Sequence, residues 1–174
     1  IDWETGFILQ QTHDRANLML DYAEVGDEID SETTLRRQFK SADTVVYYTS
    51  MALGDAVLGL SAVKALIDYF HRHQESPPKK IEIITPFKDL FDGLHEKYPF
   101  IQITKSGDIR SYKESHLYQE DLKRRQQTGE KLFIMTNAGS ETYDALTAQK
   151  SKNTLAVVEV FVTYHHTMAF TKRS

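Results

Sequence analysis

The feature that most constrains the fold is a regular alternation of short hydrophobic segments with longer amphipathic ones from residue 43 onward. The segment TVVYYTS is an unbroken run of β-branched and aromatic residues, as expected for a central strand buried on both faces. Further strand-like segments follow it, namely IEIIT, PFIQIT, KLFIMT and TLAVVEVFV. Strands separated by helices imply right-handed crossovers, so the sequence predicts an α/β, Rossmann-like domain with a mainly parallel sheet and flanking helices.

Helical periodicity connects these predicted strands. After the first strand, the apolar stripe consists of Ala56, Leu60, Val63, Ile67 and Phe70. Thr85 is expected to cap a helix opened by Pro86. Residues 111–129 are polar and predict a surface helix that ends near Gly129, with Lys123–Arg125 on a solvated face. Residues 137–149 predict a further helix before the fifth strand.

The first 41 residues differ from the rest of the chain because they are polar and carry helical rather than strand patterning. Leu35 and Phe39 are four residues apart, on one face of a predicted helix. We interpret residues 1–41 as a helical arm that packs on the main domain, formed by residues 42–174. Contact between this arm and a partner protein is the alternative.

Composition limits the function classes. A chain of 174 residues is long enough for one domain with a proper core and short for two. The net charge of −4 argues against a nucleic-acid-binding surface spread over the fold. Cysteine is absent, which excludes disulfides and thiolate metal sites. No apolar run approaches the length of a membrane span.

The rule that ligands of parallel sheets bind outside the carboxyl ends of the strands identifies candidate loops. These loops are SMALGD after the first strand, TPF after the second and NAGSE after the fourth. Helix amino termini favour anions, so a phosphate, a pyrophosphate or a carboxylate could bind there. The glycine spacing matches neither the dinucleotide fingerprint nor a Walker-type loop.

Asp55 has two interpretations that the residues alone do not separate. An aspartate near a helix start is favoured by capping and by the helix dipole, which makes a purely structural role the simpler one. The alternative is a general base, which needs a reachable substrate hydroxyl and a suitable pKa.

The segment TVVYYTSMALGDAVLGLSAVKAL, followed by KKIEIITPFKDLFDGL, resembles the amino-terminal half of the glycosyltransferase family that includes the ADP-heptose:lipopolysaccharide heptosyltransferases. Members have a hydrophobic strand, a short serine-containing loop, Gly-Asp and an apolar helix. The likeness continues through KLFIMTNAGS and covers about residues 43–160. It implies a GT-B architecture, in which two Rossmann-like domains face each other across a cleft.

The resemblance also implies roles for individual residues. Asp55 corresponds to the proposed general base for the acceptor hydroxyl, and Gly54 would let the backbone approach the acceptor. The other implied substrate-binding residues are Ser50, Asn137, Gly139 and Ser140. The implied partners are a nucleotide-sugar donor, bound by a second domain, and a glycan, glycolipid or other hydroxyl acceptor. No metal and no cofactor are expected, and the implied location is cytoplasmic, with peripheral association at the inner membrane of a bacterial envelope as an option.

Departures from the family pattern leave other functions open. The sequence ends at Ser174, before the expected donor-binding domain, so this polypeptide alone is not expected to catalyse transfer. The first alternative is a non-catalytic Rossmann-like binding or interaction module, and the second is an unrelated small-molecule α/β enzyme. Adjacent histidines at 165 and 166 point to opposite faces of an extended chain, which makes joint metal binding a poor prediction. We interpret His71 and His73 as structural.

Overall fold

A single mixed sheet organises the part of the chain described by the computed structural model, namely residues 37–56, 80–106, 115–162 and 168–171. Its strands are β1 (Thr44–Tyr48), β2 (Lys80–Thr85), β3 (Ile101–Lys105), β4 (Leu132–Thr136), β5 (Thr154–Val162) and β6 (Met168–Thr171). The five strands predicted from the sequence are all present. The α/β, Rossmann-like fold is therefore confirmed.

The strand order β3-β2-β1-β4-β5-β6 shows how the chain builds the sheet. It moves outward from β1 through β2 to β3, returns to the other side of β1 as β4, and continues to β5. All these neighbours pair in parallel, whereas β6 pairs antiparallel with β5. The strand order thus reverses between β1 and β4, which is where open α/β sheets form their ligand-binding crevice.

The sixth strand was not predicted. Met168–Thr171 is only 4 residues long, which is too short for an alternating pattern to stand out from its surroundings. It adds to the sheet because β5 is 9 residues long and offers an edge to which a short segment can pair.

Helices lie on both faces of the sheet. They are α1 (Asp92–Lys97), α2 (Ser115–Gln126) and α3 (Ser140–Ala148), and a 3₁₀ turn (Lys88–Leu90) precedes α1. The Thr85 hydroxyl accepts a hydrogen bond from the backbone N–H of Phe87, with 3.1 Å between Oγ1 and N. The expected single helix from Pro86 is wrong in detail, because the 3₁₀ turn comes first and the α-helix begins only at Asp92.

The core is divided into two layers by the sheet. On one face, Val45 and Tyr47 of β1 pack with Phe91 and Leu94 of α1. On the other face, Val46 and Tyr48 pack beneath α2 and α3. All 5 residues of β1 are buried, so the predicted burial of this strand on both faces is confirmed.

The end of the predicted N-terminal arm belongs to the first of these layers. Residues 37–41 are helical, and Phe39 is buried against Phe133 in an edge-to-face arrangement with ring centroids 5.0 Å apart. The remaining arm residues, 1–36, lie outside the described residues. So do most of the predicted stripe after Ala56, the histidines at 71 and 73, and Tyr164–His166.

Helix α2 differs most from its predicted character. Tyr118, Asp121, Leu122 and Arg125 recur at helical spacing, and this stripe faces the sheet. The Arg125 side chain is only 14% exposed and forms ion pairs with Glu82 of β2 and with Asp121, the latter at 2.6 Å between Nε and Oδ2. The prediction that Lys123–Arg125 forms a solvated face is therefore wrong for Arg125. Arg125 turns inward because a buried carboxylate on β2 needs a cation.

Within the described ranges, no helix combines the length and the apolar character that crossing a membrane requires.

Candidate functional site

The loops after β1 and β4 lie side by side at the point where the strand order reverses. Tyr48 and Thr136 are paired in register at the ends of these strands. The backbone N–H of Asn137 reaches the carbonyl of Tyr48, with 3.4 Å between N and O. The structure therefore brings together two of the loops that the strand-end rule identified from the sequence.

The side chain of Asn137 joins the two loops. Its Oδ1 accepts a hydrogen bond from the backbone N–H of Ser50 at 2.7 Å, and its Nδ2 donates to the carbonyl of Asp55 at 3.1 Å. A donor on one side and an acceptor on the other fix the orientation of the amide. Asn137 thus holds both ends of the loop that contains Asp55.

Ser50, rather than Asp55, supplies the side-chain hydrogen bond at the start of the following helical turn. Ser50 is buried, and its Oγ accepts from the backbone N–H of Ala52 at 3.1 Å. Residues 53–56 form the turn, in which Ala56 N–H donates to Ala52 O at 2.9 Å. The Asp55 side chain is exposed, and among the described residues its carboxylate makes no hydrogen bond or ion pair.

Buried hydroxyl groups support the segment that follows β1, residues 49–56, which we call the β1 loop. Thr49 and Thr85 are completely buried, and the Thr49 hydroxyl donates to Thr85 Oγ1 at 2.8 Å. Tyr118 of α2 donates its hydroxyl to the carbonyl of Thr49, also at 2.8 Å. Burial raises the pKa of Tyr118 to about 12, so its hydroxyl keeps the proton that it donates.

The glycines of the two loops serve different purposes. Gly139 precedes α3 with φ of 99° and ψ of 171°, a conformation that is essentially restricted to glycine. Gly54 has no such backbone requirement, and a Cβ placed there would meet no described atom within 4 Å. Nothing in the described part of the chain explains why position 54 carries a glycine inside a helical turn, where glycine is unfavourable.

The predicted site residues are therefore only partly assembled in this structure. Ser50, Asp55 and Asn137 are linked directly by hydrogen bonds. Gly139 and Ser140 are exposed at the start of α3, and in the described ranges no hydrogen bond connects them to the β1 loop.

A cleft of about 280 Å³ lies at the carboxyl ends of β2 and β3. Its lining residues are Leu53, Pro86, Phe87, Lys88, Asp89, Leu90 and Lys105. Leu53 belongs to the same helical turn as Asp55 and is 54% exposed. The cleft combines apolar walls with two lysine ammonium groups and the Asp89 carboxylate, so its lining carries charges of both signs.

Sequence reasoning missed several residues that shape this region. Tyr118 escaped notice because its helix was interpreted as a polar surface element, although Tyr118 and Leu122 are four residues apart. Lys105 lies at the end of an edge strand and carries no motif. The TPF loop, by contrast, was identified, and it supplies Pro86 and Phe87 to the cleft.

No protein-family model and no curated protein sequence matches the chain. In the described ranges, no three or more His, Asp or Glu side chains are grouped so as to hold a metal ion. The fold defines a Rossmann-like α/β domain, and two polar loops at its topological switch point form the candidate site.

Proposed function

We propose that this chain is the acceptor-side half of a GT-B glycosyltransferase and that Asp55 is its general base. The observation that carries the proposal is the combination of a fixed backbone and an exposed carboxylate at Asp55. Its backbone is fixed by Asn137, while its carboxylate is exposed and has no partner among the described residues. A general base needs both a defined position and an unoccupied carboxylate.

Gly54 gives independent support. A glycine in a helical turn is less stable than alanine by about 1 kcal/mol, and the described residues leave room for a side chain at this position. An approaching acceptor would account for the glycine, because a methyl group would occupy the space next to the base.

The proposed reaction follows from these groups. Asp55 removes the proton from an acceptor hydroxyl as its oxygen attacks the anomeric carbon of a nucleotide sugar. The bond between that carbon and the nucleoside diphosphate breaks, and the diphosphate leaves with the electron pair. Such a single displacement inverts the configuration at the anomeric carbon. Binding of the donor is assigned to a second domain, in line with the family that the sequence resembles.

The test is transfer by the full natural protein, compared with its Asp55→Asn and Asp55→Ala variants. Nucleoside diphosphate release from a panel of nucleotide sugars is measured with and without hydroxyl acceptors. General-base catalysis contributes about 100-fold to 10,000-fold, so each variant should lose at least about 100-fold in kcat. Retained turnover in a folded Asp55→Asn protein would exclude Asp55 as the base.

Asp92→Asn is the matched control. Asp92 is also an exposed aspartate in the first turn of a helix, but it belongs to α1, which follows β2, and not to the turn after β1. Both substitutions remove a similar interaction with a helix dipole. A larger loss of turnover in Asp55→Asn than in Asp92→Asn would therefore be due to the location of Asp55 in the fold.

A non-catalytic binding module is the second candidate, and the composition of the cleft favours it. The described residues that line the cleft include Lys88, Lys105 and Asp89 but not Asp55, so the lining has a small excess of positive charge. This function predicts that the wild-type protein releases no diphosphate with any donor. A small anionic ligand should then bind with an affinity that Lys88→Ala lowers and Asp55→Asn leaves unchanged.

A further inference from the structure

The β1 loop is in contact with α2 as well as with its neighbouring strands. Tyr118 is completely buried, and its hydroxyl donates to the carbonyl of Thr49, the residue directly before Ser50. Thr49 is also completely buried, so no water can replace a lost donor at this carbonyl.

The position of the Tyr118 hydroxyl is itself well fixed. Its ring packs against the ring of Tyr48 with centroids 4.9 Å apart, and Leu122 of the next turn is completely buried. Further along α2, Arg125 pairs with Glu82 and so attaches the helix to β2. The position of α2 on the sheet therefore determines where the Tyr118 hydroxyl lies.

The loop is consequently held at both ends by groups from other elements. Tyr118 and Thr85 hold Thr49 at its start, while Asn137 holds Ser50 and Asp55. A change at the start of so short a loop shifts the turn that follows it.

We infer that Tyr118 is a positioning residue. It couples the position of α2 on the sheet to the conformation of the β1 loop, and the conformation of this loop determines where Asp55 lies. The consequence for catalysis rests on the proposed function, whereas the coupling between helix and loop does not. Tyr118 donates its hydrogen bond to a backbone carbonyl of the loop and not to a reacting group, so its effect on turnover is indirect.

Tyr118→Phe tests this inference, with Tyr48→Phe as the matched control. Both tyrosines are buried on the same face of the sheet, and each donates one hydroxyl hydrogen bond, from Tyr48 to Asp121 at 2.9 Å. The two variants should lose similar overall stability. Only Tyr118→Phe removes a contact with the loop.

The first measurement is backbone amide hydrogen exchange at Ser50, Ala52 and Ala56. Loss of a donor to a buried carbonyl should speed exchange at these positions by about 5-fold to 150-fold in Tyr118→Phe, and much less in Tyr48→Phe. Equal acceleration in both variants, or none in Tyr118→Phe, would overturn the inference.

The second measurement is the kinetics of transfer by the full natural protein. Tyr118→Phe should lower kcat while KM for the donor stays unchanged, and Tyr48→Phe, which removes a contact with α2 but none with the loop, should have a much smaller effect. Accelerated exchange in Tyr118→Phe, together with no transfer by the wild-type protein, would support the coupling and overturn the transferase proposal. The coupling between α2 and the loop and the transferase proposal can therefore be refuted independently.

A measurement on the wild-type protein covers the case in which Tyr118→Phe does not fold. Exchange is followed in increasing low concentrations of urea at Ala52 of the loop and at Leu122 of α2. Coupling predicts that both amides exchange through the same opening, with the same dependence on urea. A loop that opens at lower free energy, independently of α2, would contradict it.

Discussion

Asn137 donates its side-chain amide to the backbone carbonyl of Asp55, with 3.1 Å between Nδ2 and O. The same amide group accepts from the N–H of Ser50 through Oδ1. Asn137 follows β4, whereas the other two residues follow β1, so this bridge spans the topological switch point. The resemblance implied that Asn137 lines an acceptor cleft, but the described contacts of its side chain are with the β1 loop. Its contribution to any activity is expected to act through the position of Asp55.

Asn137→Asp should keep one hydrogen bond of this bridge, from Ser50, and abolish the other, to Asp55. The carboxylate can still accept from Ser50, but it presents an acceptor to the carbonyl of Asp55, where a donor is needed. We expect a loss of about 2 kcal/mol in the free energy of unfolding, measured by urea denaturation. Asn153→Asp is the control, because it makes the same change at a side chain with no described hydrogen bond. Similar losses in the two variants would show that the bridge contributes little.

Gly139→Ala tests the backbone conformation before α3. A Cβ at position 139 would meet no described atom within 4 Å, so the cost comes from the φ of 99° and not from a clash. Such strain should lower the free energy of unfolding by about 2 kcal/mol.

Gly93→Ala supplies the comparison for this prediction. Gly93 lies in α1 without a positive φ and has equal space around it, so alanine should raise stability by about 0.5 kcal/mol. The two Gly→Ala substitutions should therefore shift the thermal midpoint in opposite directions. A loss at both positions would mean that crowding, rather than φ, decides the outcome.

The central strands were predictable because a strand that is buried on both faces is hydrophobic along most of its length. In β1, Val45 to Tyr48 show this pattern without reference to any other segment. The candidate loops were also predictable, since the order of strands and helices determines which strand ends meet. The switch point follows from the same connectivity.

The inward face of α2 was not predictable in this way. Its stripe alternates the apolar Tyr118 and Leu122 with the charged Asp121 and Arg125, so local periodicity resembles that of a surface helix. The charges are tolerated because Glu82, on a strand far away in the sequence, completes the ion pairs. The bridge made by Asn137 was hidden for the same reason, because it depends on the register between β1 and β4.

Leu122→Ala tests the corrected orientation of α2. Leu122 is completely buried, and truncation should cost about 3 kcal/mol in the free energy of unfolding. Leu53→Ala is the control, because Leu53 is 54% exposed and its truncation should change stability by no more than about 0.5 kcal/mol. Thermal or urea unfolding of both variants gives the comparison. A small loss of stability in Leu122→Ala would indicate that α2 is a surface helix, as its sequence pattern predicted.

The ion pairs beneath α2 should make stability depend on pH. Burial by itself would raise the pKa of Glu82, but hydrogen bonds and charges from Arg125 and Lys80 outweigh it and hold the pKa below its ordinary value of 4.5. A carboxyl group with a lowered pKa in the folded state stabilises the fold above its unfolded-state pKa. That contribution is lost as the pH falls through the folded-state value.

Glu82→Gln should therefore destabilise the protein at neutral pH and lose most of its effect in acid. At pH 7 we expect a loss of about 3 kcal/mol, because Arg125 remains buried with only Asp121 as its partner. As the pH falls below 4.5 and through the lower pKa of folded Glu82, the wild-type protein progressively loses this contribution, so the two unfolding free energies should converge. Glu120→Gln, on the exposed side of α2, should match the wild-type protein throughout. A constant difference between wild type and Glu82→Gln from pH 7 to pH 3 would show that the shape of the side chain, and not its charge, stabilises the contact between α2 and β2.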